Sequence, residues 1–334
     1  MERILITGSS GFIGGRFIQK NAIRLNHKHF LCLIYDKDYV DTNKNIKLIK
    51  RLSIPYIVGD LVTRSGLKML SGSGVNTVVH LAASINTQSS DHRANFPGTK
   101  NLLEALKPFP KNFHFIFISS FAIFSGRKNC SKPIDNLTEP LPTNEYSRTK
   151  YACERYLKLM SKKYGFKLTI VRLPTVYGKG RWKNGLFDIF SDSVKKKSLL
   201  SRINWPGLTD LIHVDDVCDL LWQKINKPSS ERISVLNLAS ETIRISEISM
   251  QIHNYLRVGY QPIKIPNFIW NLISYSRIVI PYFELCLPSK IYSYLWRFSL
   301  VVDDVLYSDV DKVKKSFPAK KFLVFSKKVG DIFI

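Results

Sequence analysis

With 334 residues, 45% of them hydrophobic, the chain is too long for a minimal domain and has ample core material for one large α/β unit with a smaller lobe. Its 50 lysines and arginines against 26 aspartates and glutamates give a formal charge of +24. That charge fits anionic partners such as nucleotide diphosphates, anionic lipid or nucleic acid, or simply a lysine-rich solvated surface. The five scattered cysteines, Cys32, Cys130, Cys153, Cys218 and Cys286, lack the close pairing of a zinc site or redox dithiol and read as reduced thiols of a cytoplasmic protein.

Met1-Glu-Arg runs directly into a first strand, Ile4 to Thr7, with no signal peptide, which again predicts the cytoplasm. The turn Gly8-Ser-Ser-Gly11-Phe-Ile-Gly14 then opens a helix from Phe12 to Asn26. A strand turning sharply on glycines into a helix presents an N-terminus that can hold a pyrophosphate, and side chains on the turn would block the phosphate's approach. Further strand-like runs follow at Phe30 to Tyr35, Tyr56 to Val58, Thr77 to Ala82, Phe113 to Ser119 and Leu168 to Leu173, with helical periodicity from Asn95 to Leu106. Alternating strands and helices with near-continuous apolar strands predict a Rossmann-like α/β fold, a doubly wound parallel sheet covered on both faces.

Ser119-Ser120 closes the fifth run, and Tyr146-Ser-Arg-Thr-Lys150 comes after it. Four residues on a helix put the phenol of Tyr146 and the ammonium of Lys150 on one face, a turn apart. A free tyrosine titrates near about 10, so Tyr146 is a poor base at neutral pH unless a cation such as Lys150 stabilises its phenolate.

From about Tyr177 the pattern loosens through a Gly178-Lys-Gly-Arg-Trp-Lys-Asn-Gly185 loop and later prolines. The expected division is a dinucleotide-binding domain at 1–176 and a mainly substrate-binding lobe at 177–334, with segments near 210–222 and 233–257 returning to the first. His213 beside Asp215 and Asp216 reads as scaffold, and no metal site is expected. Residues 268–296 are rich in aromatic and aliphatic side chains, yet Arg277, Glu284, Lys290, Pro281 and Pro288 interrupt the roughly 20 apolar residues a spanning helix needs. They read as helices of the substrate lobe, or as a surface in peripheral contact with the inner face of a membrane.

The order and spacing of Gly8 to Gly14, Ser119-Ser120 and Tyr146 to Lys150 resemble the extended short-chain dehydrogenase/reductase superfamily, in particular its NAD-dependent epimerase/dehydratase branch, over roughly residues 3 to 255. The resemblance implies that Gly8, Gly11, Phe12, Ile13 and Gly14 hold the cofactor's pyrophosphate. Asp36 then takes the adenosine ribose hydroxyls, which favours NAD, while Lys37 beside it suits a 2′-phosphate and leaves NADP open. Asp60 and Leu61 match the adenine contact. Leu81, Ala82 and Ala83 match the small-residue stretch beside the cofactor, and Asn95 matches a supporting asparagine. Ser120 matches the catalytic serine or threonine that hydrogen-bonds the substrate oxygen, Tyr146 the acid/base, and Lys150 the cation that also holds the nicotinamide ribose.

Departures from the pattern concern the substrate. Thr175 and Thr209 stand where relatives grip a diphosphate with asparagine and arginine, so Arg181, Lys183 or Arg202 would have to substitute. Ser120 is followed by Phe121-Ala122 rather than Asp-Glu, which disfavours a 4,6-dehydratase. Phe124-Ser125 replaces the family's Tyr-Gly. The expected function is a nucleotide-sugar epimerase or ketoreductase acting as a homodimer. The alternatives are a reductase of a lipid-linked or otherwise apolar ketone, and a non-catalytic nicotinamide-binding sensor. Dispersed basic residues argue against nucleic acid as a partner.

Overall fold

The computed structural model describes residues 3–22, 29–40, 42–85, 91–127, 132–135, 137–181, 185–283, 286–288, 291–292, 295, 298 and 300–333. Asn26, Cys130, Lys183, Glu284 and Lys290 from the sequence reading lie outside the described residues. The chain forms two compact units. The first comprises Met1–Ser120, Arg148–Arg172 and Val217–Leu236, and the second Phe121–Ser147, Leu173–Asp216 and Asn237–Ile334.

The first unit is built on a seven-stranded sheet. Its strands are β1 (Arg3–Thr7), β2 (Phe30–Tyr35), β3 (Tyr56–Gly59), β4 (Val75–His80), β5 (His114–Ser120), β6 (Lys167–Leu173) and β9 (Ile233–Asn237), in the order β3-β2-β1-β4-β5-β6-β9. β1 pairs in parallel with β2 and with β4, β2 with β3, and β4 with β5. Strand order reverses at β1, between β2 and β4, and an open parallel sheet has its ligand crevice beyond the carboxyl ends of the strands at such a point. The strands read as unbroken apolar runs because both faces are covered: Leu5, Ile6, Val78, Phe115 and Ile116 are fully buried. α1 (Phe12–Asn21), α3 (Phe96–Ala105) and most of α4 (Glu145–Tyr164) belong to this unit.

The second unit holds a three-stranded sheet in which β8 (Leu208–His213) pairs in parallel with β7 (Thr175–Tyr177) and antiparallel with β10 (Glu241–Arg244). Its core gathers Tyr177, Phe187, Phe190, Leu211, Ile248 and Phe325.

The predicted boundary at 176/177 is displaced. Residues 121–147 join the second unit because their backbone and side-chain bonds are made there: Gly126 N–H to Leu141 O at 2.8 Å, Ile134 N–H to Tyr307 O at 2.8 Å, and Arg127 Nη2 to Asp304 O at 2.9 Å. The predicted returns are also corrected. Residues 210–216 stay with β8 in the second unit, and the first regains only Val217–Leu236. Within the expected return of 233–257, α7 (Ile245–Tyr255) buries Ile245, Ile248 and Ile252 in the second core. β4 stops at His80 rather than Ala82, because the next two amides leave the ladder: Leu81 N–H bonds Thr7 O and Ala82 N–H bonds Thr7 Oγ1.

Candidate active site

The crevice at β1 and β4 is shaped by the glycine turn. Gly8 has φ +69°, and a Cβ there would lie 2.7 Å from the backbone nitrogen of Ala82, while a Cβ on Gly14 would collide with the carbonyl oxygen of Gly8. Only glycine fits both places, and the turn thereby lies against the Leu81-Ala82 backbone. Gly11 caps α1, and half-buried Phe12 and Ile13 form its first turn. The first turn of α1 carries no acidic residue of its own, which leaves its N–H groups and the helix dipole to an anion.

Two supports of this turn were not foreseen. Asn45, from α2 (Lys44–Arg51), donates Nδ2 to Ser10 O at 2.9 Å and Gly11 O at 3.0 Å. Thr7 Oγ1 bonds His80 Nδ1 at 2.7 Å, and His80 Nε2 bonds Thr99 Oγ1 at 3.0 Å, tying β1, β4 and α3 together. Burial pushes the His80 imidazole down to about 3, so it is neutral and serves as a hydrogen-bonded strut. A Thr-to-His spacing of 73 residues carries no sequence signal.

Around the crevice, Asp36 follows β2 directly and is exposed, its Oδ1 accepting the Lys37 N–H at 2.7 Å. Asp38 accepts a 2.7 Å bond from Ser10 Oγ, an extra carboxylate at the glycine turn. Asp60 folds back on the Val62 amide at 2.7 Å, and Leu61 is buried with its carbonyl held by Asn101 Nδ2. Asn95, buried at the start of α3, accepts from Ser84 N–H at 2.8 Å and donates to Ser84 O at 3.1 Å and Thr149 Oγ1 at 3.0 Å. One amide thus joins the loop after β4, α3 and α4.

β5 ends on Ser119, buried, and Ser120, half-buried, with alternate strand residues facing opposite sides. Lys150 on α4 is buried and donates Nζ to Ile118 O at 2.8 Å, 5.0 Å from the Phe117 ring centroid. Burial lowers its ammonium to about 8, opposed by the nearby Cys153 and Glu154. Tyr146 stands one turn earlier on α4 and is half-buried. The start of this helix is fixed by a reciprocal cap, Asn144 Oδ1 taking the Ser147 N–H at 2.8 Å and Ser147 Oγ taking the Asn144 N–H at 3.1 Å. One turn after Lys150, Glu154 forms a buried two-point ion pair with Arg172 of β6, at 2.7 and 3.0 Å.

Of the residues expected at the substrate, Ser120 ends β5 in the first unit, and Thr175, Arg181 and Arg202 lie in the second. Thr175 opens β7, half-buried. Arg181 makes a two-point pair with Asp188 at 2.5 and 2.6 Å and caps Ile332 O, so its head is already engaged. Arg202 donates to Gln261 O at 2.9 Å and Gln261 Oε1 at 3.3 Å. His213 shares Nε2 with Asp331 at 3.1 Å and accepts the Asp215 N–H on Nδ1. Phe121 and Ala122, after Ser120, are buried and bring no acid there, and Phe124 is buried without a hydroxyl.

The family model for the NAD dependent epimerase/dehydratase family matches residues 4–239. The chain belongs to that family. Among its family relatives, a putative UDP-glucose 4-epimerase of Methanocaldococcus jannaschii is 28% identical over 224 residues, 64% of this chain and 70% of that one. The dTDP-D-glucose 4,6-dehydratase of Bos taurus is 26% identical over 264 residues, 73% of each chain. A solved structure of UDP-glucuronic acid 4-epimerase from Bacillus cereus, in complex with UDP-glucuronic acid and NAD, superposes with TM-score 0.72 at 18% identity over 99% of this chain and 98% of that one. The UDP-glucose 4-epimerase of Thermus thermophilus in complex with NAD does so at 0.68 and 18%, over 99% and 97%. These likenesses bear out the Rossmann-like fold expected of the family member.

Proposed function

We propose that this family member is an NAD(P)-dependent nucleotide-sugar epimerase or ketoreductase working through Ser120, Tyr146 and Lys150, with NAD the favoured cofactor. The observation that supports it most is the buried Lys150 ammonium, fixed on the β5 backbone a helical turn from Tyr146. The cradle fits a dinucleotide: Gly8 and Gly14 leave no room for side chains against the turn, and the α1 N-terminus faces the crevice with no acidic residue of its own. Gly8, Gly11, Phe12, Ile13 and Gly14 would hold the pyrophosphate, Asp36 the adenosine ribose, Asp60 and Leu61 the adenine, and Leu81 to Ala83 the face beside the nicotinamide half.

When bound, the nicotinamide supplies a hydride acceptor and donor. Tyr146 Oη takes the proton of the sugar hydroxyl and returns it to the ketone oxygen. Lys150, positively charged below about pH 8, stabilises the phenolate that makes this exchange feasible near neutrality. Ser120 Oγ donates to the substrate oxygen and holds it against Tyr146. Asn95 and the Glu154–Arg172 pair act as positioning residues, fixing the loop after β4 and the α4 face that carries Lys150.

The test is turnover on UDP- and dTDP-sugars, with the nicotinamide content of the purified protein read by absorbance and mass spectrometry. Tyr146→Phe should abolish turnover while keeping the cofactor; a variant that still turns over at the parent rate overturns the assignment, and a parent that binds the cofactor without turnover favours the non-catalytic nicotinamide-binding reading. Tightly retained NAD supports the epimerase, and an empty site that takes NADPH from solution supports the reductase.

A specific feature favours a second reading, a reductase of a lipid-linked or otherwise apolar substrate at a membrane surface. On α8 (Asn267–Val279), Phe268, Leu272 and Val279 recur at spacings of four and seven and are 71%, 72% and 49% exposed; Tyr282 follows at 80%. Such a stripe on a chain of charge +24 suits an anionic lipid headgroup layer. No helix among the described residues is long and apolar enough to cross a membrane, so contact would be peripheral. Assembly as a homodimer completes the proposal, and light scattering returning a monomer would refute that part.

A further inference from the structure

The second unit contains a cleft of about 590 Å³ whose walls include Lys197, Arg202, His253, Arg257 and Gln261 and, among the described residues, carry no carboxylate. Its size falls within the range of small-molecule sites. None of Ser120, Tyr146 or Lys150 contributes to it, so the cleft needs its own explanation.

Three cations share the walls, and among the described residues no carboxylate pairs with Lys197, Arg202 or Arg257. Lys197 and Arg257 stand just past the carboxyl ends of α5 (Leu186–Lys195) and α7, where each helix contributes about half a negative charge. Two such ends offset about one of the three positive charges and leave a net excess facing the cleft. Like charges gathered this way repel unless an anion lies between them. Arg202 is oriented in advance, since Gln261 takes two of its donors and leaves the rest of the guanidinium fork open.

Beneath the cations runs a buried polar chain. Ser201 Oγ donates to Ser198 O at 2.8 Å, so it accepts the Nε2–H of His253 at 3.1 Å, while Ser249 Oγ donates to Ser201 O. This puts a hydrogen on Nε2 and leaves Nδ1 without a protein partner among the described residues, although the ring is only 1% exposed. A purely structural histidine in so buried a place normally has both nitrogens satisfied.

We infer that this cleft binds a phosphate-bearing anion, with Lys197, Arg202 and Arg257 as the groups that take its oxygens. The ligand is a soluble phosphate or phosphomonoester, or the same group on a lipid headgroup.

Lys197 and Arg257 both adopt left-handed backbone, with φ +52° and +56°, a region that glycine occupies without strain. Lys197→Gly and Arg257→Gly therefore remove charge while keeping the fold. Inorganic phosphate, titrated calorimetrically into the full chain against chloride of equal ionic strength, should bind saturably to the parent. Each substitution should weaken binding about tenfold. The unfolding midpoint of the variants without phosphate should not fall, which separates lost binding from lost folding. Absence of saturable heat above the chloride control, or unchanged affinity in the double variant, overturns the inference. With binding established, sedimentation on phosphatidic-acid vesicles that the double variant loses assigns the phosphate to a headgroup, and sedimentation that it keeps assigns it to the soluble ligand.

Discussion

Replacing Glu154 by Gln tests the architecture beneath the candidate site. Glu154 is fully buried and Arg172 is 5% exposed on its side chain, and two hydrogen bonds of 2.7 and 3.0 Å join them. Removing one charge of such a pair leaves the guanidinium facing a neutral amide, a change that typically costs about 3–5 kcal/mol. Native proteins are stable by only about 5–15 kcal/mol, so the variant should lose about a fifth or more of its margin. In urea the midpoint should drop with little change in slope, and on heating the transition should fall by about 6 °C or more. The same carboxylate raises the Lys150 ammonium, so its loss should push that group below about 8 and move the basic limb of the activity profile to lower pH. Combining Glu154→Gln with Arg172→Met removes both charges and should recover much of the stability, since a buried pair exchanged for apolar contact is often near neutral. A single variant that unfolds within about 1 kcal/mol of the parent, with the pH limb unmoved, would refute both the energetic and the electrostatic reasoning.

Gly14→Ala should abolish NAD retention in equilibrium dialysis, because the new methyl collides with the Gly8 carbonyl and forces the turn open; parent-like affinity would contradict the cradle. Lys150 is depressed from 10.5 to about 8, so the unfolded chain binds more protons between these values and stability should rise with pH across that window, a rise that Lys150→Met removes in urea titrations. Over the same range kcat/KM should fall, as the phenolate of Tyr146 loses its cation. Burial pushes the Asp210 carboxyl up to about 7 despite donors from Ser308 and Thr242. Its contribution is therefore full below about 4 and lost as pH rises through about 7, and Asp210→Asn should flatten that slope in thermal melts. Leu272→Glu should reduce co-sedimentation with anionic vesicles severalfold while leaving the unfolding midpoint unchanged, and raised salt should weaken the parent in the same way.

Local signals were legible in this chain and distant ones were not. β2 spans Phe30–Tyr35, as its unbroken apolar run indicates, and the glycine turn declares itself because each glycine answers a nearby steric demand. The strut through His80, the Asn45 clamp and the Glu154–Arg172 pair were invisible because their partners lie 73, 35 and 18 residues away and none belongs to a periodic pattern. β7, β8 and β10 were missed for a related reason: strands of three to six residues beyond the regular alternation borrow their order from one another. The displaced boundary has the same origin. Residues 121–147 follow β5 without a break in composition, and bonds to distant residues such as Asp304 and Tyr307 tie them to the other unit.

The side-chain amide of Asn95 acts as a fastener that its own acid cannot replace. Its nitrogen donates to Ser84 O and to Thr149 Oγ1. Asn95→Asp exchanges that nitrogen for oxygen and sets a negative charge against a carbonyl. A change of almost no mass or volume then unfastens the loop after β4 from α4.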